Sequence, residues 1–440
     1  MGGVPWHKII PYCAFNLLEE IDQPGEWYLG RGTGVLYFYP PSDPSKASIE
    51  INMISTPMLT MEKVANLRLE GFVFDLARFD CAVITDSERC LIAGCAVKRI
   101  AGNGIQIKGG RENGIHGCDL HHIGASAATI RGGDRKTLAP AHHYVENCQF
   151  YLNRGLCVGI DGVGNRVAHN LFYDCQGSAV YGIGGLIGND HVIEYNEVRE
   201  VCLEGGGTGA GGDTGAMGSY GDPTYRVVYR YNLFSNIGIG QESGNAAIRL
   251  DDVISSMIIY GNIFCRCGDN AHPKGYGFGA LQYNSGRDNI ADNNILIECP
   301  KVQTGGFNLN NQCWEDARRK GTATNELYLS RYPDLQQVFD KSGFNHLWRN
   351  VYWNCPIIVK PGFGAPIESF DVMDPVMYTN ENPGFVDVAN GDFRLKPDAA
   401  VFRRIGFRPI PVEEIGPYQD EYRATWPVER TTANNARRQP

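Results

Sequence analysis

Two neighbouring stretches of the chain concentrate carboxylates beside glycines. The first, EGGGTGAGGDTGAMGSYGD, carries Glu204, Asp213 and Asp222; the second, AAIRLDD, ends in Asp251 and Asp252. Paired carboxyl groups do acid–base work on glycosidic bonds: one donates a proton while the other acts as nucleophile or base. Their separation is about 5–5.5 Å for retention of configuration and about 6.5–9.5 Å for inversion. Such a donor needs its pKa raised by burial or by the neighbouring carboxylate. The candidates for such a pair are Glu204, Asp213 and Asp222 in the first stretch and Asp251 and Asp252 in the second. The rival explanation is a turn cap, a common use of Asp.

The elements that must position these residues show as a repeat. A Cys or Asn followed by alternating apolar residues returns at Cys95, Cys118, Cys148, Asn170, Asn196, Asn232, Asn262 and Asn294, spaced 23, 30, 22, 26, 36, 30 and 32 residues apart. After each anchor comes a second short strand, among them GIQIKGG, AATIRGG, SAVYGIGG, GAMGSYGD and AAIRLDD. Period-2 strands at every twenty-odd residues, without helices between them, predict an all-β, parallel β-solenoid. Gly and Asn suit its corners because both tolerate left-handed backbone, and Asn can stack as a ladder from coil to coil. Adjacent coils place equivalent side chains about 4.8 Å apart. With Ile248 and Leu250 inward, Arg249 and Asp251 point outward and Asp252 starts the corner. Aligning GAM with AAI sets Asp213 at the start of its strand and Asp251 at the end of the next. That separates them by roughly 16–20 Å along the strand unless the glycine loop folds back; Asp222 lies nearly level with Asp252.

Composition narrows the partners. The 440 residues carry 40 basic and 49 acidic side chains, a net charge of −9. This disfavours nucleic acid, which asks for a basic footprint, and weakly disfavours a strongly polyanionic polysaccharide. Glycine is abundant, 54 residues, but without a Gly-X-Y period, which excludes collagen; 43% hydrophobic content excludes disorder. No run of 18 apolar residues suggests a membrane span. The 14 cysteines include no CxxC pair and several sit at anchor positions, so they read as small buried apolar residues. The start, MGGVPWHKIIPYCAF, has no signal-peptide pattern, so the chain is expected in the cytoplasm as written, or secreted or periplasmic if a leader has been removed. The sequence does not speak to oligomeric state.

The organisation expected is an N-terminal hairpin segment over 1–60 (EWYLG, a glycine turn, VLYFYPP), coils over 61–312, a helical insertion over 313–346, final coils and a C-terminal cap over 347–427, and a tail over 428–440. The phrases LLEEIDQPGEWYLGRGTGVLYFYPP, VGNRVAHNLFYDC, GNDHVIEYNEVREVC, RLDDVISSMIIYGNIF and NPGFVDVANGDFRLKPD resemble bacterial right-handed parallel β-helix proteins grouped around glycoside hydrolase family 141. The resemblance runs from about residue 16 onward. It implies a right-handed parallel β-helix, hydrolysis of a carbohydrate substrate, and acidic residues in an Asp-x-Gly-Ala motif, matched by Asp213 to Ala216, and a Leu-Asp-Asp motif, matched by Asp251 and Asp252. The family reads Glu-x-x-Asp-Ala-Gly-Ala at the first motif; this chain has extra glycines between Glu204 and Asp213. Such proteins also carry a further segment before the hairpin, so the chain reads as a truncated form or a shorter branch.

Glu204, Glu242, Arg249, His191, Arg131 and Tyr220 are the expected substrate-binding residues, with Lys108, Tyr181, Tyr283 and Trp314 as further groove or platform candidates. Two alternatives share the fold. A polysaccharide lyase acting on a uronate-containing glycan would use a Lys or Arg base, with calcium at the uronate; otherwise no cofactor or metal is expected. A non-catalytic carbohydrate-binding solenoid is the other.

Overall fold

The computed structural model describes residues 15–203, 214–221, 225–238, 245–268, 278–320, 325–340, 343–362 and 364–428. Two compact units divide the chain, 1–53 and 54–440. In the first, Trp27–Gly30 and Val35–Phe38 pair as an antiparallel hairpin closed through left-handed Gly34.

The second unit is a right-handed parallel β-helix. Three strands make one coil, and their stacking builds three parallel sheets of 11 strands each. Sheet A begins with Leu59–Glu62, sheet B with Arg68–Glu70 and sheet C with Val73–Ala77. The insertion leaves the coil after the sheet A strand Lys301–Phe307 as helices α1 (Gln312–Lys320) and α2 (Glu326–Arg331), and the coil resumes at Asn345–Trp348.

The anchors lie between sheets B and C. Asn170, Asn196, Asn232, Asn262, Asn294 and Asn350 are fully or almost fully buried and form a ladder. In it each backbone N–H donates to the side-chain oxygen of the next rung at 2.8–3.0 Å. Each amide nitrogen also donates to backbone carbonyls, as Asn196 Nδ2 does to Val167 at 3.0 Å, so burial leaves these amides paired. Toward the N-terminal end sulfur takes over the rung: the N–H groups of Cys95 and Cys118 donate to the next thiol at 3.4 Å, and Cys148 N–H donates to Asn170 at 2.9 Å. One expectation changes here. The left-handed residue is the one before the anchor. It is Gly94, Gly117, Asn147, Gly261 or Asn293 in some coils, but His169, Tyr195, Tyr231 or Arg349 in others. The αL conformation costs a bulky residue roughly 1–2 kcal/mol, and the ladder, together with ring stacking such as His169 on Tyr195 at 4.8 Å, offsets it.

A second ladder runs between sheets A and B. Cys90 N–H donates to Asn113, Asn113 N–H to His143 Nδ1, His143 N–H to Asn165, and Asn165 N–H to His191 Nδ1, at 2.9–3.2 Å. A histidine Nδ1 here does the work of an asparagine oxygen.

Inside, apolar side chains fill the lumen, with Phe150 stacked on Phe172 and Phe234 on Phe264 at 4.9 and 5.0 Å. Outside, the C-terminal segment covers sheet C. Phe385, Phe393, Val401 and Phe407 pack on Ile263, Ile295, Val351 and Val376. The chain then runs back along the coils: Arg408 bonds Asn293, Tyr418 bonds Asn147, Asp420 meets His116 at 2.6 Å, and Arg423 pairs with Asp119.

Candidate active site

Sheet A carries the outward row that holds the candidate residues Arg249 and Asp251. Its strand Asn245–Leu250 pairs with Thr214–Ser219 on one side and with Leu281–Ser285 on the other. The register aligns Gly215 with Ala246 and Gly218 with Arg249, as GAM against AAI requires. Ile248 and Leu250 belong to the lumen, so alternation sends Arg249 and Asp251 outward.

Arg249 and Asp251 form an ion pair whose side chains are 5% and 14% exposed. The guanidinium also donates to Tyr181 Oη at 3.3 Å and lies 5.5 Å from the Phe278 ring centre. Tyr181 is two coils away. Gly218 stands between them at φ +150°, and a Cβ there would collide with the Arg249 carbonyl, so only glycine lets the two strands approach this closely. On the other side Asn284 Nδ2 donates to Asp251 Oδ1 at 2.9 Å. Ser285 Oγ donates to Asn284 Oδ1 at 3.1 Å, and Asn311 Nδ2 donates to Ser285 Oγ at 2.9 Å. Trp314 of α1, fully buried, donates its indole N–H to the Ser285 carbonyl at 3.1 Å. The insertion is therefore a wall fastened to the carboxylate's neighbours. Asp252 occupies the corner at φ +54°. The Cys313 thiol beside it is pushed up to about 11 by burial, reinforced by Asp252 and Asp251.

The remaining expected residues divide into four groups. Tyr220 is 41% exposed, with its ring 6.5 Å from that of Tyr181 and its backbone N–H donating to Gly185 at 2.9 Å; it belongs beside Arg249 and Asp251. Arg131 lies in the same outward row but four coils earlier, about 19 Å from Asp251 at one coil per 4.8 Å, with its guanidinium 3.2 Å from Asp161. His191 is a correction: it is fully buried, Nδ1 accepts from Asn165 and Nε2 sits 2.6 Å from the Ile187 carbonyl. Burial pushes its pKa down to about 4. It is a ladder rung and lines no groove. Asp213, Asp222, Glu204 and Glu242 fall outside the described residues. Among the described residues no three His, Cys, Asp or Glu side chains gather as a metal site.

Asn284, Ser285, Asn311 and the α1 wall escaped sequence reasoning. Asn284 had a signal: extending the repeat one coil past Leu250-Asp251 sets Tyr283-Asn284 beside them. No periodicity marks where an insertion packs.

The family comparison agrees on the architecture. Residues 60–217 match the model of the right-handed beta helix region. No curated protein matches the chain. Among solved structures, the catalytic unit of a thermostable family 87 α-1,3-glucanase from Streptomyces thermodiastaticus is 10% identical, with a TM-score of 0.36 over 68% of this chain and 64% of that one. A protein described as a glycoside hydrolase is 10% identical, with a TM-score of 0.38 over 93% of this chain and 61% of that one. The pectate lyase Pel9A is 11% identical, with a TM-score of 0.30 over 78% and 81%. The chain thus spans under two thirds of the length of the first two. Among the described residues no helix is long and apolar enough to cross a membrane.

Proposed function

We propose that the protein is a glycan-processing enzyme of the glycoside hydrolase type, in line with its family 141-like motifs, and that its substrate lies along the outer face of sheet A. The observation that carries this reading is the Arg249–Asp251 pair, held nearly buried on that face between Tyr181 and Asn284 with half-exposed Tyr220 alongside. Both Asp251 oxygens already accept, one from the guanidinium and one from the amide. That arrangement suits a nucleophile or base rather than a proton donor. The donor role then falls to Asp252, Asp213 or Asp222.

The lyase alternative would call on Lys108 or Arg131 as base; these lie on neighbouring coils five and four coils from Asp251, with Asp161 beside Arg131. A binding module would hold glycan without cleaving it. Screening plant and algal glycans with chromatographic detection of released products tests the reading. Hydrolytic products that vanish in Asp251→Asn support it; unsaturated products, or full activity in Asp251→Asn, Asp252→Asn and Asp213→Asn alike, overturn it.

A further inference from the structure

We infer that the substrate is a mostly neutral glycan bearing an acidic substituent, and that Lys108 with Arg131 forms the subsite for that anion; the inference rests on the glycan reading of sheet A. Lys108 and Arg131 are exposed and directly paired in register, and Arg131 is paired in turn with Asp161. Continuing the same outward row coil by coil leads past Tyr220 to Asp251 and Asn284.

A glycan laid along this row advances by about one sugar per coil. An acidic group four or five units from the reacting bond therefore reaches the two cations, about 19–24 Å from Asp251. Lys108 forms no ion pair among the described residues. The Arg131–Asp161 pair is largely solvated, at 52% and 23% side-chain exposure. Such a pair is worth little, so an incoming carboxylate or sulfate competes with Asp161 at low cost, and a guanidinium can take either bidentately. The net charge of −9 opposes a densely charged polymer through the field of the whole molecule. Local cations in an acidic protein thus favour sparse acidic groups on a neutral backbone.

The test uses the full chain and matched oligosaccharide pairs on a glycan array: uronate-bearing members, their carboxyl-reduced neutral forms, and sulfated counterparts. Uronate or sulfated forms are expected to bind at least tenfold more tightly than their neutral partners, and the better of the two names the anion. Lys108→Glu with Arg131→Glu should abolish that preference while binding of neutral forms persists. Equal binding of charged and neutral forms, or an unchanged preference in the double variant, overturns the anion subsite and leaves the glycan reading standing. Failure to bind any glycan overturns both.

Discussion

Each of two faces of the β-helix holds a nearly buried arginine–aspartate pair, and the two pairs have different reasons to exist. On sheet C, Arg423 meets Asp119 across 304 residues, at 0% and 7% side-chain exposure. Its guanidinium also donates to the Gly117 carbonyl at 2.9 Å and to Gln149 at 3.2 Å, and Thr425 donates to the same Asp119 at 2.9 Å. That pair fastens the C-terminal segment over the coils, repaying desolvation with closure of a long loop. On sheet A, Arg249 and Asp251 are two residues apart, so their pairing closes no loop. Desolvating two charges for so little connection is poor economy for a scaffold. It suits a site in which a carboxylate must be held at a fixed angle.

The largest effect that separates the two faces is on turnover. Asp251→Asn should lower kcat by at least about 10³-fold, the scale on which loss of a nucleophile or base acts. Asp119→Asn should leave turnover per folded molecule unchanged. Parallel kinetics on both variants reverse the assignment of the faces if Asp119→Asn is the one that loses activity.

Next comes stability. Arg423→Ala leaves Asp119 buried without its partner and should cost about 3–5 kcal/mol, read as a lower denaturant midpoint. Retention of the wild-type midpoint would show that the C-terminal segment is not held by this pair.

Much of the scaffold was legible in the sequence because its logic is local. The Cys and Asn anchors mark coil after coil, and alternation along AAIRLDD places Arg249 and Asp251 correctly. The C-terminal cover was not legible, since nothing periodic ties Arg423 to Asp119. Nor was the role of α1 beside Ser285. His191 misled because residue type was weighed above position: like Asn113, His143, Asn165 and Asn289, it immediately precedes a sheet B strand. In that phase a histidine substitutes for asparagine.

That substitution makes the scaffold pH-sensitive independently of either face. In the unfolded chain these imidazoles titrate near 6.5. In the fold, burial lowers both His143 and His191 to about 4. Between those values the unfolded chain takes up protons that the folded one refuses. Stability is therefore full above pH 6.5 and drains as pH falls toward 4, by about 3 kcal/mol for a fully buried histidine. His191→Asn restores the usual rung and should flatten part of that slope. Denaturation curves between pH 4 and 7 decide it: an unchanged slope would mean that the ladder histidines do not govern acid sensitivity.

The finest discrimination lies between two tyrosines of almost equal exposure, Tyr220 at 41% on the sheet A side and Tyr418 at 37% in the C-terminal cover. The Tyr418 ring meets His169 and His116 edge-on at 5.2 and 6.4 Å, and its backbone N–H donates to Asn147 at 3.0 Å; its exposed edge is the margin of an interior contact. Tyr220 lies near Tyr181 and next to the row that ends at Asp251, where a ring face can carry a sugar. Tyr220→Ala should raise KM about tenfold with kcat nearly unchanged, the mark of binding shared by ground and transition states, and should barely move the unfolding midpoint. Tyr418→Ala should do the opposite, costing about 1 kcal/mol of stability through its lost ring contacts and leaving KM alone. If Tyr418→Ala raised KM as much as Tyr220→Ala, the substrate would have to touch the covered face as well, and sheet A would lose its claim to be the working one.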